Sequence, residues 1–255
     1  MWLKGHYQLQ HHYIEEAFDR INAPSSLTIE QKAGLEFTFI DALVQPGAKG
    51  GIPNLERYVE AHPDLFVQAL AWTYRRKGDG IDPPEIVPPD GGGKQLAEQG
   101  YKLLRALRSI PGRDEAGVGD AARLRAWVDA VRDAAAQIDR AAVADVSIGE
   151  LLSNAPSGDD GIWPCEPVRE VIEDIQSVDM ARGMRTGRYN ARGAHWRGEG
   201  GGQERALADE YRTWAEALQN SHPFVSSKLL MGLVKTYEAE AEREDTEATI
   251  QRRLR

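Results

Sequence analysis

Apolar residues recur at helical spacing along almost the whole chain, and this periodicity is the feature that most restricts the fold. The clearest example runs from Leu124 to Ile138, where apolar side chains share one helix face over about four turns and charged side chains share the other. The alternation of apolar and polar residues that is typical of strands is almost absent. The pattern therefore predicts an all-α protein.

Helix-boundary signals favour the same fold class. Thr28–Gln31 and Ser147–Glu150 both match the capping box, in which polar side chains accept the free N–H groups of a first helical turn. Pro63, Pro111 and Pro223 separate periodic segments, because proline disfavours helical geometry in the residue before it. We expect about eight to ten helices, packed as irregular helical hairpins in the style of HEAT or TPR proteins. No fixed-period repeat is visible.

Composition places the chain among globular proteins. Of its 255 residues, 41% are hydrophobic and 28% are charged, which excludes collagen, disulfide scaffolds and full disorder. The single cysteine, Cys165, excludes an internal disulfide and any zinc site with several cysteines, and it fits a reducing cytoplasm. The net charge of −9 leaves room for nucleic-acid binding only through a local basic patch. No apolar stretch approaches the length of a membrane span.

A run rich in proline and glycine interrupts the helical pattern at residues 78–94. Nine of these 17 residues are proline or glycine, so the run predicts a linker or a long loop. It separates an N-terminal helical part, residues 1–77, from a C-terminal helical part, residues 95–255. Two interpretations stay open, namely separate domains or one continuous helical array with a long surface loop.

The segment from residue 182 to residue 202 reverses the charge pattern of this acidic chain. Five arginines fall within 16 residues, and no acidic residue occurs from Ala181 to Gly198. If the segment is helical, its first four arginines lie within about 120° of arc and form one stripe. Together with the residues between them they form the arginine segment, our candidate interaction or anion-binding site: Arg182, Arg185, Arg188, Tyr189, Arg192, His195, Trp196 and Arg197.

Three interpretations of the arginine segment stay open. The arginines can pair with carboxylates elsewhere in the chain, since a guanidinium suits bidentate pairing. They can form an interface with an acidic partner protein, with Tyr189 and Trp196 as anchors. They can also bind phosphate or nucleic acid, with the aromatic rings stacking on bases. Charge reversal at Arg188 and Arg192 separates the first two, because loss of stability indicates internal pairing and loss of partner capture alone indicates an interface.

Other motifs give no catalytic or metal site. Gly117–Ala122 matches GxGxxA, but it follows a turn rather than a strand, so it predicts a loop that leads into a helix. His11 and His12 lie about 100° apart on a helix and cannot converge on one ion, so we interpret them as surface residues. Cys165 predicts a small buried residue at a turn, and Asp159–Asp160 predicts a solvated loop. We expect no cofactor and no bound metal.

Two stretches carry a resemblance to known proteins. The first is LEFTFIDALVQPGAKGGIPNLERYVEAHPDLFVQALAWTYRRKG, which begins at Leu35. The second combines GIWPCEPVREVIEDI with GRYNARGAHWRGEGGGQERALADEYRTWAEAL, which begins at Gly187. Both resemble the C-terminal helical region of long bacterial proteins of unassigned function. The resemblance implies that the chain is the C-terminal portion of a larger protein, and it carries no catalytic residue with it.

The leading hypothesis is a cytoplasmic, non-enzymatic helical scaffold or protein–protein interaction domain of a larger bacterial protein. Its partner is then an unidentified protein, which the arginine segment binds. The alternative is a nucleic-acid or phosphate-ligand binding module that uses the basic segment Arg182–Arg197. An enzyme is the less favoured class, because no catalytic motif is present.

Overall fold

The computed structural model confirms that the chain is an all-α array. Within the residues that the structure describes there are twelve α-helices, one π-helix and no strand. Some of these helices are short. A turn at Phe39, for example, separates the second helix from a third helix of only four residues. The residues described are 11–23, 26–45, 47–48, 50–84, 86–87, 92–113, 119–192 and 200–254.

The connections between the helices differ in length, and the one between Thr73 and Gly93 contains most of the proline- and glycine-rich run. The first six are α1 His11–Asn22, α2 Ile29–Thr38, α3 Ile40–Leu43, α4 Pro53–Ala61, α5 Pro63–Thr73 and α6 Gly93–Ala106. The other α-helices are α7 Ala121–Gln137, α8 Ala141–Leu152, α9 Glu166–Ile175, α10 Val178–Asn190, α11 Gly202–Leu218 and α12 Met231–Leu254. The π-helix, Val225–Leu230, directly precedes α12.

The chain divides into two compact units. Unit 1 consists of Met1–Ser109 and Asp129–Ala144, and unit 2 consists of Ile110–Val128 and Asp145–Arg255. The described residues of the proline- and glycine-rich run, 78–84, 86–87 and 92–94, fall within unit 1. The last two, Gly93 and Lys94, begin α6, which packs against α5.

A buried arginine holds the beginning of this run. Arg140 is buried and donates from both terminal nitrogens to the carboxylate of Asp82, at 2.7 and 2.6 Å. Its Nε donates to the backbone carbonyl of Tyr74 at 2.9 Å. Charge-assisted bonds of this kind are about twice as strong as neutral ones, so the first residues of the run have a fixed position in unit 1.

In unit 1, a buried carboxylate caps a helix that lacks a capping residue of its own. The N-cap of α4 is Ile52, whose side chain offers no acceptor. Glu36, on α2, accepts instead from the backbone N–H groups of Asn54 at 3.3 Å and Leu55 at 2.7 Å. It also accepts from the side-chain amide of Asn54 at 2.5 Å. These bonds fix the packing of α2 against α4, because orphan N–H groups at a helix start need an acceptor.

One of the two predicted capping boxes is confirmed and the other is wrong. Thr28 and Gln31 form both reciprocal hydrogen bonds at the start of α2. Ser147, in contrast, lies inside α8 and is buried. This helix begins six residues earlier, at Ala141, in a stretch where alanine, the strongest helix former, is frequent.

In unit 2, glycines allow α10 to approach α8 closely. A β-carbon on Gly183 would overlap the backbone carbonyl of Val146, and one on Gly149 would overlap that of Met180. A β-carbon on Gly187 would overlap the hydroxyl of Ser153. Only residues without a side chain fit at this contact, so the backbones of α8 and α10 lie directly against each other. The whole of α10, with its arginines, belongs to unit 2.

We expect Gly183→Ala to lower the free energy of unfolding by about 1–3 kcal/mol, because the added methyl forces two packed backbones apart. Gly34 is the matched control, since a β-carbon there meets no atom within 4 Å. Gly34→Ala should raise stability by about 0.5–1 kcal/mol, through helix propensity alone. Urea unfolding of both variants gives the comparison, and equal effects at the two positions would contradict the close contact.

Burial raises the pKa of Glu36 above its ordinary value of 4.5, although the hydrogen bonds from Leu55 and Asn54 act in the other direction. A group with a raised folded-state pKa contributes stability that is present below its unfolded pKa and is lost as the pH rises through the folded one. Wild-type stability should therefore carry a decline with rising pH that Glu36→Gln removes. Urea unfolding from acid to neutral pH measures it, and an unchanged pH slope in the variant would refute it.

Candidate functional site

The structure places the described part of the arginine segment on α10 and in the turn that follows it. Arg182, Arg185 and Arg188 lie on the helix, so the condition for a shared stripe is met for these three. The helix ends at Asn190, so Arg192 follows it in a turn rather than extending the helical stripe. The remaining three candidates, His195, Trp196 and Arg197, lie outside the described residues.

The first two arginines have different surroundings. Arg182 is 59% exposed and pairs with Asp179 on its own helix at 2.9 Å. Arg185 donates to the backbone carbonyl of Lys228, which belongs to the π-helix. Burial, together with the nearby charge of Arg182, lowers the pKa of Arg185. A β-carbon on Gly232 would collide with the Arg185 side chain, so the glycine makes room for this contact.

Arg188 connects α10 to two aromatic residues. Its Nε donates to the phenol oxygen of Tyr211, on α11, at 3.0 Å. Its guanidinium carbon lies 4.8 Å from the centre of the Trp163 ring. The arginine is therefore held by a hydrogen bond and by a cation–π interaction at once.

Arg192, four residues further along the chain, contacts a buried carboxylate and an aromatic ring. Its Nη2 lies 3.5 Å from the carboxylate of Glu204, which is only 1% exposed. The guanidinium carbon lies 5.3 Å from the centre of the Tyr237 ring, on α12. An ion pair with a buried carboxylate is costly to break, because the remaining charge would then be desolvated without compensation.

Five aromatic side chains form a cluster around these two arginines. The rings of Tyr211 and Tyr237 are stacked, with centroids 5.6 Å apart and an angle of 2° between their planes. Trp214 and Trp163 meet Tyr211 edge to face. Tyr189, the fifth member, lies 5.9 Å from Tyr237. We call these residues the aromatic cluster. Burial and, to a smaller extent, the neighbouring Tyr211 raise the pKa of Tyr237 to about 12.

The arginine segment thus has partners inside its own unit. Arg188 and Arg192 contact α11 and α12, and Tyr189 belongs to the aromatic cluster. Sequence reasoning left open that the arginines pair internally, but it did not identify Trp163, Tyr211 or Glu204. No spacing signal connects them, since these contacts join residues 12 to 25 positions apart through tertiary packing. Binding of protein or nucleic acid by this segment stays a prediction.

The other motifs take structural positions. The described part of Gly117–Ala122 leads into α7, where the Asp120 carboxylate accepts from the backbone N–H of Arg123. Cys165 is the N-cap residue of α9, and burial raises the pKa of its thiol, which disfavours the reactive thiolate. Asp159 and Asp160 lie in an exposed turn, as the sequence predicts, and Asp160 also pairs with the buried Arg169 at 2.8 Å.

Unit 1 contains an apolar groove that the sequence did not reveal. Its volume is 310 Å³, and α2, α4, α5 and α6 contribute to its walls. Phe37, Tyr58 and Trp72 are half-buried, and the rings of Phe37 and Trp72 lie 6.1 Å apart. Gly34 opens one wall, because no atom occupies the space of its missing β-carbon. The lining residues are Glu30, Ala33, Gly34, Phe37, Leu55, Tyr58, Leu65, Gln68, Trp72 and Leu103.

The described residues contain neither a metal-ligand cluster nor a helix that could cross a membrane. No three side chains of His, Cys, Asp or Glu in that part of the chain lie close enough to hold a metal ion. None of the helices described combines the length and the apolar character that a membrane crossing requires.

Comparison with known proteins gives no relative from which a role can be transferred. Protein-family models, curated proteins and solved structures yield no match to this chain. The candidate sites therefore rest on the geometry described above.

We expect the loss of either inner arginine to destabilise unit 2. Arg188→Gln and Arg192→Gln should each lower the free energy of unfolding by about 1–3 kcal/mol, since each leaves a buried acceptor or ring without its cation. Arg182→Gln, the exposed control on the same helix, should change it by less than about 0.5 kcal/mol. Urea unfolding distinguishes these results. Equal and small effects for all three would show that the arginines are not structural.

Proposed function

We propose that this chain is a helical scaffold that binds a partner protein, and that the groove of unit 1 is the binding surface. The proposal rests on one observation, the apolar wall that carries the half-buried rings of Phe37, Tyr58 and Trp72. Aromatic side chains in a desolvated recess are the residues that most often supply binding energy at protein interfaces.

The groove has the dimensions of a site for a helix. On α2 its lining runs from Glu30 to Phe37, and on α5 it runs from Leu65 to Trp72. Each stretch covers seven residue steps, or about 10 Å of helix, which is about two turns. An amphipathic partner helix fits this length with apolar anchors at positions i, i+3 or i+4, and i+7.

Charge indicates which amphipathic helix binds. Glu30 is the one charged side chain among the lining residues, and it is exposed at an end of the groove. The chain as a whole has a net charge of −9. A partner helix with a lysine or arginine beside its apolar anchors is attracted by the net negative charge and can pair with Glu30. Complementary charge of this kind speeds encounter and fixes the register of binding. We therefore commit to a basic amphipathic helix of a partner protein as the occupant.

A photo-crosslinking residue at Gln68, inside the groove, tests the proposal. The control is the same residue at Arg57, which is exposed on α4 and does not line the groove. We expect Gln68, and not Arg57, to crosslink to a segment with apolar residues at helical spacing and an adjacent basic residue. Crosslinks to nucleic acid, or to a segment without that pattern, would contradict the proposal.

Binding of the synthetic peptide from that segment gives the quantitative test. Gly34→Phe should weaken binding by at least about tenfold, because its β-carbon meets no atom within 4 Å and the added ring extends from the groove wall. Gly34→Ala adds only a methyl group and should bind nearly as the wild type does. Thermal unfolding of both variants checks the fold. Wild-type affinity in a folded Gly34→Phe protein would exclude the groove as the binding surface.

A further inference from the structure

A separate cavity lies within unit 2, beside the first turns of α7 and α9. Its volume is 540 Å³, which is within the range of small-molecule sites. It contains no residue of the groove in unit 1 or of the aromatic cluster. The charged residues of its lining are Arg113, Asp120, Asp159, Asp160, Glu166 and Arg169.

The central group of this cavity is a buried guanidinium with one unused donor. The side chain of Arg169 is 4% exposed. Its Nη2 donates to the carboxylate of Asp160 at 2.9 Å, and its Nη1 lies 2.8 Å from the other oxygen of that carboxylate. Its Nε is also buried, and no acceptor for it is present among the described residues. A buried donor without an acceptor costs free energy, so this edge of the guanidinium favours an added oxygen atom.

The surroundings of Arg169 favour a negative group. Arg113 adds an exposed guanidinium to the lining. The first turns of α7 and α9 also line the cavity, and a helix N-terminus carries a partial positive charge. The N-cap residue of α9, Cys165, forms no side-chain capping bond. Gly158 leaves room for the guanidinium, since a β-carbon there would lie 2.6 Å from its Nη2.

The acidic lining residues limit the charge of the ligand. Asp160 is bound to Arg169, which holds the pKa of that carboxyl below its ordinary value. Asp120 accepts from the first turn of α7. Asp159 and Glu166 are exposed acids of the same lining, and they disfavour a multiply charged phosphate relative to a single carboxylate.

We infer that this cavity binds the carboxylate group of a small organic acid. One carboxylate oxygen accepts from Nε of Arg169, and Arg113 provides the second positive charge. Asp160 acts as the positioning residue, because its bidentate bond fixes the plane of the guanidinium. The inference is independent of the groove and of its partner helix.

Nitrogen-15 NMR of the arginine Nε–H groups in the full chain tests this inference. Butyrate, which carries a single carboxylate, and inorganic phosphate are the two probes. We expect butyrate to shift the Arg169 signal saturably and phosphate to bind more weakly. Arg113→Gln should weaken butyrate binding by about tenfold, the usual scale for one charge-assisted contact, whereas Arg182→Gln should leave it unchanged.

Each of the other outcomes would overturn the inference. A phosphate shift without a butyrate shift would replace the carboxylate by phosphate as the ligand group. Equal shifts at Arg169 and at the exposed Arg182 would show non-specific ion binding. If neither probe saturates the signal at about 50 mM, the cavity is not an anion site. A dissociation constant above that concentration corresponds to a very small binding free energy. The signals are read in the folded wild type, so no variant is needed for these results.

Discussion

The contacts of Arg188 and Arg192 with the aromatic cluster are the interactions on which the helices of unit 2 depend. They connect α10 and its following turn to α11 through Tyr211 and Glu204, and to α12 through Tyr237. Another side of α10 contacts α8 through glycines that admit no side chain. The helix is thus held by polar and cation–π contacts in one direction and by backbone contact in another. These internal partners account for two arginines of the basic segment, Arg188 and Arg192.

Carboxylates on distant helices also connect helices in both units, because they accept from the backbone N–H groups at helix starts. Glu36 caps α4 in unit 1, and in unit 2 Glu173 accepts from the backbone N–H groups of Phe224 and Val225. Asp245, on α12, accepts from Gly201 at the start of α11. Each of these helix starts lacks a capping side chain of its own. The carboxylate therefore satisfies orphan N–H groups and at the same time fixes which helices are neighbours.

Local signals in the sequence were sufficient for the fold class and insufficient for the sites. Periodicity predicts α7, and the Thr28 capping box is a local motif that the structure confirms. Ser147 shows the limit, because the same motif occurs inside a buried helix. The spacing of Arg182, Arg185 and Arg188 predicts a shared helix, but their partners come from segments distant in sequence. The groove likewise assembles from four helices, so no single segment carries its pattern.

The central claim is that Arg188 and Arg192 stabilise the fold of unit 2 through their contacts with Tyr211, Trp163, Glu204 and Tyr237. A double-mutant cycle between Arg188→Gln and Tyr211→Phe tests this claim most directly. The cycle isolates the energy of one contact from the separate costs of the two substitutions. We expect a coupling of about 1 kcal/mol or more in urea unfolding. Additivity within about 0.3 kcal/mol would contradict the claim, because it would show that the two residues do not stabilise the fold together.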